Sequence, residues 1–294
     1  MNAPEEIFLE TGRGILAGLG QATSGGPPVL CLHGWLDNAA SFIPLFRQWS
    51  GLNLLSLDFP GHGRSAHRHP EASYYFTEYL QDVDAALDAL GWQSCHLAGH
   101  SMGGAVASLF AAASPERVRS LTLLDVLGPI SSSPGGTTER LRRHIKASRK
   151  PPRRQKTYAS IEEMIQTRQK NSDLNPEAAR LLCERSIKQI DDRHVWSNDP
   201  ELHWVSPILP TEEQALDCLQ HIEAPVLALI AQPLAPYITR ETLERRLAAI
   251  PDRRLQFIDG KHHFHMHQAK DIAPAVQSFI LEQDLNYGKD HDPN

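Results

Sequence analysis

The residues best suited to chemistry surround Ser101, in the sequence Gly99-His100-Ser101-Met102-Gly103. Residues 94–98 before it form a strand-like run, and residues 104–113 after it are small, apolar and helix-forming. On a tight strand-to-helix turn a serine projects its hydroxyl clear of the sheet, and the flanking glycines let neighbouring backbone pass without a Cβ clash. The pattern predicts a nucleophilic Ser101. The alternative is a turn whose serine only caps the following helix.

Strands and helices alternate on both sides of this turn. The apolar runs at residues 29–32 and 226–230 are typical of strands buried on both faces of a parallel sheet. Alternation of this kind predicts a mostly parallel sheet covered by helices. We expect a hairpin over residues 7–19, further strands at 53–57, 94–98, 118–124 and 254–258, and helices at 41–49, 75–90, 104–113, 211–221, 240–250 and 271–283. We expect the polar tail from Leu285 to be disordered.

The composition shifts after Gly128, and the next stretch carries helical signals of its own. Ser160 and Glu163 form a capping-box pattern, and Asn175-Pro176 is typical of a helix start, here for a helix reaching about Ile190. We predict that residues 129–210 form a helical cap, or lid, over the carboxyl ends of the strands, where open α/β sheets place their sites. Residues 1–128 and 211–294 then form the core.

Composition narrows the environment and the partners. The 294 residues carry a net charge of −6, which argues against nucleic acid as the main partner. The four cysteines form no C-x-x-C pair and favour a reduced, cytoplasmic protein. No apolar run is long enough for a transmembrane helix, so we expect no membrane partner. The basic residues at 140–146 and 153–154 are interpreted as a solvated cap surface.

Neither a cofactor nor a metal is predicted. No dinucleotide fingerprint or phosphate loop is present, because the glycines around Ser101 do not read G-x-G-x-x-G. The histidines at 262, 263, 265 and 267 match no common zinc spacing, and no cysteine lies near them. The expected partner is therefore a small-molecule substrate.

Four motifs in chain order resemble those of α/β-hydrolases. They are His33-Gly34-Trp35, the run Asp-Phe-Pro-Gly-His-Gly-Arg-Ser at residues 58–65, the G-x-S-x-G around Ser101, and His262-His263-Phe264-His265. The resemblance covers about residues 7–283. The wording of residues 32–37 and 262–266 is similar to that of capped serine hydrolase-like proteins. The resemblance implies the α/β-hydrolase fold, with a helical cap inserted after the sixth strand.

The resemblance also implies roles for individual residues. Ser101 matches the nucleophile, and the backbone N–H groups of Trp35 and Met102 match the two donors of an oxyanion hole. The family pattern Gly-His-x-x-His makes His262 the base, although Lys261 stands where the glycine is usual. His263 is the alternative base.

The acid of the triad is missing from its usual place. The turn that follows the strand at 226–230 contains no carboxylate between residues 231 and 237. Asp125 ends the strand that follows the Ser101 strand in the chain, and we expect the two strands to be neighbours. We therefore predict that Asp125 orients the histidine; its alternative role is to cap the turn before Gly128. Asp37 and Glu241 are the other candidates.

These residues predict a serine hydrolase of the carboxylesterase kind, which cleaves a small ester or related acyl compound through an acyl-enzyme. Trp196 and Trp204 are candidates for lining the substrate pocket. Two alternatives remain open. The fold also supports carbon–carbon bond hydrolysis or perhydrolysis, and the carboxylate missing from residues 231–237 favours a non-catalytic binding scaffold.

Overall fold

The predicted apolar runs form the centre of an eight-stranded sheet in the computed structural model, which describes residues 3–69, 72–149, 155–235 and 238–291. The strands in these ranges are β1 Glu5–Thr11, β2 Gly14–Gln21, β3 Pro28–Leu32, β4 Asn53–Leu57, β5 Cys95–His100, β6 Val118–Leu124, β7 Ile187–Ile190, β8 Arg193–Trp196, β9 Val226–Gln232 and β10 Arg253–Asp259. The α-helices are α1 Ile43–Phe46, α2 Glu78–Leu90, α3 Met102–Ala113, α4 Thr137–Ser148, α5 Ile161–Lys170, α6 Pro176–Arg185, α7 Glu212–Gln220, α8 Arg240–Ala249, α9 Phe264–His267 and α10 Ala269–His291.

The order of the sheet is β1-β2-β4-β3-β5-β6-β9-β10. The predicted hairpin β1–β2 is antiparallel and β2 pairs antiparallel with β4, whereas every pair from β4 to β10 is parallel. β5 lies between β3 and β6, with Gly99 opposite Leu32 on one side and Leu123 on the other. The predicted neighbourhood of β5 and β6 is therefore confirmed, and the loops after β3 and β6 flank Ser101.

Side chains on the two faces of the sheet form two separate cores. In β3, Leu30 and Leu32 face the core made with α2, α3, α7 and α8, whereas Val29 and Cys31 face the core made with α1 and α10. All four side chains are fully buried. Burial on both faces explains why this strand is a continuous apolar run rather than an alternating one.

Residues 129–210, called the cap from here on, contain α4, α5, α6 and an antiparallel hairpin β7–β8. α5 and α6 share a small core that includes Met164, Ala179 and Leu182. The helix predicted to reach Ile190 instead ends at Arg185, because the following residues pair as β7 with β8. The basic surface of α4 contains no buried residue, and Arg153-Arg154 lie outside the described residues.

The prediction of a disordered tail from Leu285 is wrong, because α10 continues to His291. Side chains fix this extension to the sheet. Asp284 accepts a hydrogen bond from Arg119 Nη1 at 2.8 Å, and the Arg119 guanidinium lies 4.8 Å from the centre of the Tyr287 ring. None of the helices in the described ranges is long and apolar enough to cross a membrane.

Candidate active site

Ser101 lies on a strained turn between β5 and α3. Its φ of 50° and ψ of −118° are rare for a residue with a side chain, and its hydroxyl makes no capping hydrogen bond to α3. A Cβ on Gly99 would lie 2.4 Å from Gly104 Cα, and one on Gly103 would lie 2.1 Å from the Leu32 carbonyl oxygen. The glycines are therefore needed for close backbone approach, and the hydroxyl is not used as a helix cap.

His262 and Asp125 are brought together at the carboxyl end of the sheet. His262 Nδ1 lies 2.6 Å from Asp125 Oδ2. The Asp125 side chain is 4% exposed and the His262 side chain is 27% exposed. With Nδ1–H donating to the carboxylate, Nε2 is the nitrogen able to accept a proton. This is the tautomer that a histidine base of a triad requires.

Two backbone contacts fix this pair. The other oxygen of Asp125, Oδ1, accepts a hydrogen bond from Ala231 N–H at 2.9 Å. The turn that lacks the expected carboxylate thus supplies a donor to the carboxylate on the neighbouring strand. His100, the residue before Ser101, donates from Nε2 to the His262 carbonyl oxygen at 3.0 Å. The turn that carries Ser101, called the elbow from here on, therefore holds the backbone of His262.

His263 has a different environment, which disfavours it as a base. Its Nδ1 hydrogen bonds to Asp173, and its Nε2 lies 3.5 Å from Asp37 Oδ2. Burial opposes the charge on the ring, but the hydrogen bonds to Asp173 and Asp37 outweigh burial and raise the pKa of His263 to about 9. An imidazolium held between two carboxylates has no free nitrogen with which to accept a proton.

The reserve acids have other surroundings. Asp37 pairs with Arg168 and His263, and Glu241 lies in the first turn of α8. Sequence reasoning missed Arg168 and Asp173, because their positions on the cap follow from tertiary packing. The doubled histidine at 262 and 263 was the one signal that a second carboxylate was needed.

The two predicted oxyanion donors lie on neighbouring loops. Met102 is the first residue of α3, where a backbone N–H has no partner within the helix. Trp35 follows β3, and the loop runs so close to the elbow that a Cβ on Gly34 would lie 3.0 Å from His100 Nδ1. His33 fixes this loop by donating from Nδ1 to the Gly34 carbonyl oxygen at 2.7 Å and accepting at Nε2 from Phe59 N–H at 3.0 Å.

Buried neutral histidines support the site. Burial lowers the pKa of His33 to about 4. Burial, together with the neighbouring histidines, also holds the pKa of His100 and of His265 well below the usual range. His265 Nε2 lies 2.8 Å from the Ser41 hydroxyl oxygen, and its ring centre is 4.1 Å from that of His100. These rings act as uncharged packing and hydrogen-bonding groups.

Asp37, His100 and His263 are the residues whose donor atoms converge closely enough to be considered for a metal. His100 Nδ1 is buried and has no hydrogen-bond partner within the described residues, which suits a ligand nitrogen. His263, however, would first have to lose the Nε2 proton that faces Asp37. The Arg168 guanidinium, paired with Asp37, already supplies a positive charge. The charges present favour an ion-pair cluster, and we assign no metal there.

A cavity of about 190 Å³ opens beside the elbow, between the core and the cap. It includes both Trp35 and Met102, the residues of the predicted oxyanion hole. Its other lining residues are mainly aromatic or apolar, with one carboxylate: Ser73, Tyr74, Tyr75, Phe76, Tyr79, His144, Glu201, Leu202, Trp204, Val205, Ser206 and Pro207. A lining of this kind suits an apolar acyl or alcohol group.

The two predicted pocket tryptophans occupy different places. Trp204 lines the cavity, with its ring centre 6.1 Å from that of His144. Trp196 is not among the lining residues; its indole N–H donates to the Tyr158 hydroxyl at 3.1 Å, and it packs against the core of α5 and α6. Trp196 is therefore placed to stabilise the cap rather than to contact a substrate.

Comparison with known proteins places the chain in a family. Residues 27–269 match the model of the α/β-hydrolase fold, and the protein belongs to this family. It is 30% identical over 297 residues to a serine hydrolase-like protein of Danio rerio, covering 96% of this chain and 90% of that protein. The resemblance stated above is thereby confirmed.

Solved structures agree on the fold. The hypothetical protein PA1622 of Pseudomonas aeruginosa superposes with a TM-score of 0.85 at 34% identity, covering 94% of this chain and 99% of the other. A thioesterase domain from the curacin biosynthetic pathway superposes with a TM-score of 0.84 at 24% identity, covering 94% and 100%. At the lower identity the likeness concerns the fold alone.

Proposed function

We propose that the protein is a serine hydrolase that cleaves a small ester through an acyl-enzyme, with Ser101 as nucleophile, His262 as base and Asp125 as the orienting acid. The observation that carries the proposal is the 2.6 Å contact between His262 Nδ1 and Asp125 Oδ2, next to a strained serine turn. Membership of the α/β-hydrolase family supports it. Within the hydrolases, we propose the carboxylesterase class.

The mechanism follows from this geometry. His262 Nε2 takes the hydroxyl proton as Ser101 Oγ attacks the ester carbonyl, and Asp125 stabilises the resulting imidazolium. The N–H groups of Trp35 and Met102 stabilise the oxyanion. Loss of one such donor typically costs about 100- to 1000-fold in rate. His262 then returns the proton to the leaving alcohol, and a water activated by the same base hydrolyses the acyl-enzyme. The steps require no cofactor.

The cavity suggests the kind of substrate. Its volume of about 190 Å³ suits a small group, and its aromatic lining, which includes Trp204, suits an apolar one. The carboxylate in the lining, Glu201, forms no ion pair with the residues that the structure describes. An anionic acyl group would meet this charge without compensation. We therefore propose neutral esters with short acyl chains.

The non-catalytic alternative was supported by the missing carboxylate after β9. Asp125 now supplies a carboxylate to His262 from the end of β6, while the Ala231 N–H binds its second oxygen. Pro236 and Tyr237 of that turn lie outside the described residues. Because this pair occurs together with a strained serine turn whose hydroxyl does not cap the helix, catalysis is the better proposal. Carbon–carbon bond hydrolysis and perhydrolysis would use the same residues.

A fluorophosphonate probe tests the proposal, because an activated serine attacks phosphorus as it attacks a carbonyl. We expect labelling of the wild-type protein and hydrolysis of p-nitrophenyl acetate and butyrate, both abolished by Ser101→Ala. Ser148→Ala, at an exposed serine of α4, is the control and should label normally. Labelling that persists in Ser101→Ala would remove the nucleophile assignment. A wild-type protein that neither labels nor hydrolyses any ester of the series would favour the scaffold.

A further inference from the structure

A cluster of four charged side chains joins the cap to the loops of the proposed active site. We call it the anchoring cluster, and its members are Asp37, Arg168, Asp173 and His263. Arg168 belongs to α5 of the cap, and Asp173 lies in the loop between α5 and α6. Asp37 lies in the loop after β3, and His263 follows the proposed base directly. The Asp37 side chain is 1% exposed and the His263 side chain 9% exposed.

The contacts run in one chain from the cap to the core. Arg168 Nη2 donates to Asp37 Oδ1. Asp37 Oδ2 faces His263 Nε2 at 3.5 Å, and the Nδ1 of the same ring hydrogen bonds to Asp173. Asp173 Oδ2 also accepts from the backbone N–H of His263 at 3.0 Å. One cap residue therefore fixes both the ring and the main chain of the residue that follows His262.

The charges in the cluster balance. Two carboxylates face one guanidinium and one imidazolium, so each buried charge has a partner of opposite sign. Burial works against ionisation of Asp37 and Asp173, but their contacts with His263, together with Arg168 for Asp37, hold the pKa of both carboxyls below the usual range. Removing one member leaves a buried charge unpaired, which is strongly unfavourable. The cluster should therefore hold the cap in one position.

The cluster touches the loop that carries the proposed base, the loop that carries Trp35, and the residue before the nucleophile. His263 is one residue from the base. Asp37 is two residues from the oxyanion donor Trp35, and its Oδ2 lies 3.7 Å from Nδ1 of His100, the residue before the nucleophile. A displacement of about 1 Å in a catalytic group can cost on the order of 100-fold in rate. Small displacements of these side chains should therefore cause large changes in the reaction rate.

We propose that Asp173 and Arg168 are positioning residues for this site. When the cap is docked on the core, Asp173 fixes the position of His262 through its contact with His263. Arg168 fixes the loop that carries the oxyanion donor Trp35 through its contact with Asp37. The inference rests on the proposed function. It means that the catalytic arrangement is complete only while the cap is docked. Movement of the cap away from the core breaks both contacts and releases the loop that carries the base. Substrate entry and assembly of the site are thereby coupled.

The main experiment uses Asp173→Asn, which keeps the shape and removes the charge. We expect kcat for p-nitrophenyl butyrate to fall by about 10- to 100-fold and KM to change less than threefold. The reason is that the loop carrying His262 and His263 loses its contact with the Asp173 carboxylate. Glu162→Gln is the matched control, because Glu162 is an exposed cap carboxylate paired with Arg180 at 3.4 Å. It should behave as wild type. Asp173→Glu should recover part of the loss.

The pH profile separates positioning from simple packing. Besides Asp37 and Asp173, the groups around the His263 ring are His100, His262, His265, His267 and, through Asp37, Arg168. In the wild type His263 stays charged up to about pH 9. In Asp173→Asn we expect it to lose its proton at lower pH, so kcat should decline between pH 7 and 9, where wild-type kcat should stay level. A packing defect would lower kcat equally at every pH.

A second pair of variants tests the cap side. Arg168→Lys weakens the contact to Asp37, and Arg185→Lys weakens a more deeply buried contact between the cap and Asp58 that does not involve His263. Both should lower the melting temperature, and Arg168→Lys alone should lower kcat, by about 10-fold. Equal kcat values for the two variants, or a folded Asp173→Asn with wild-type kcat and pH profile, would overturn the inference.

Titration of His263 by NMR keeps the inference separate from the proposed function. The His263 resonance should titrate near pH 9 in the wild type and at lower pH in Asp173→Asn, whether or not the protein turns over an ester. Absence of esterase activity and probe labelling, with this shift intact, would contradict the function but not the anchoring. A His263 that titrates identically in both proteins would contradict the anchoring, even in an active enzyme.

Discussion

His262 and His263 are adjacent in the chain, and each directs Nδ1 at a carboxylate, yet their surroundings differ. The carboxylate of His262 is Asp125 at the end of β6 in the core, whereas that of His263 is Asp173 in the cap. His262 contacts its carboxylate through Nδ1, and its ring is partly exposed. His263 has a second carboxylate, Asp37, 3.5 Å from Nε2 and is buried.

The difference shows what separates a base from a fixed cation. One carboxylate orients an imidazole and stabilises its charged form while leaving the second nitrogen for chemistry. Two carboxylates raise the pKa of the ring, so the ring is a structural charge at neutral pH. Under the proposed function, the His262–Asp125 pair activates the nucleophile, whereas the His263–Asp173 pair holds a structural charge.

The largest effect on the rate should come from breaking the His262–Asp125 pair, whose carboxylate belongs to the core. Asp125→Asn keeps an oxygen for the Ala231 N–H but presents an amide group to His262 Nδ1, which favours the wrong tautomer. We expect kcat to fall on the order of 10⁴-fold, as the same change does in a serine-protease triad. The melting temperature should change little. Ester hydrolysis and thermal melts of the purified variant check both expectations.

Asp173→Asn is the control for this variant, because it removes the corresponding carboxylate of the other histidine. Its expected loss of kcat is at least 100-fold smaller. If Asp125→Asn loses less than tenfold, or if the two variants lose equally, the distinction between base and structural cation is wrong.

The His263–Asp173 pair should instead affect how the stability of the fold depends on pH. Because the pKa of His263 is raised from 6.5 to about 9, its stabilising contribution is complete below pH 6.5 and is lost as the pH rises through 9. At 1.36 kcal/mol per pKa unit, the contribution is on the order of 3 kcal/mol. His33, with a pKa lowered to about 4, acts in the other direction and destabilises the protein as the pH falls below 6.5.

We therefore expect maximal stability near pH 6.5 to 7, measured as the free energy of unfolding in urea across pH 5 to 9.5. His263→Gln should lower the maximum and flatten the alkaline side while leaving the acid side unchanged. An alkaline slope that survives in His263→Gln would show that another group is responsible for it.

The contrast between the two pairs also shows how far sequence alone could lead. Asp125 was predicted because β6 follows β5 in the chain and was expected to lie beside it. In a parallel sheet, the carboxyl ends of two such strands lie at the same edge. Asp173 was not singled out, because its role depends on how a separate helical segment docks on the core. The last turns of α10 were missed for the same reason, because their contact residue Arg119 is distant in the chain. The hairpin β7–β8 is local, with Ile190 opposite Arg193, and was missed because the helix from Pro176 was expected to continue to about Ile190.

Glu201 differs from Asp125 and Asp173, because it pairs with no histidine among the residues that the structure describes. It lines the cavity and pairs with no cation among the described residues, and burial, together with the nearby Asp199, raises its pKa. At pH 8 it should be ionised and should repel an anionic acyl group. We expect kcat/KM for p-nitrophenyl butyrate to exceed that for the p-nitrophenyl half-ester of succinate, and Glu201→Gln to narrow the ratio by about two- to fivefold, the size of an exposed charge interaction. High salt should narrow the ratio in the wild type and have less effect in the variant. If Glu201→Gln changes neither the ratio nor its salt dependence, the carboxylate takes no part in substrate selection, and the neutral preference has to come from the aromatic lining alone.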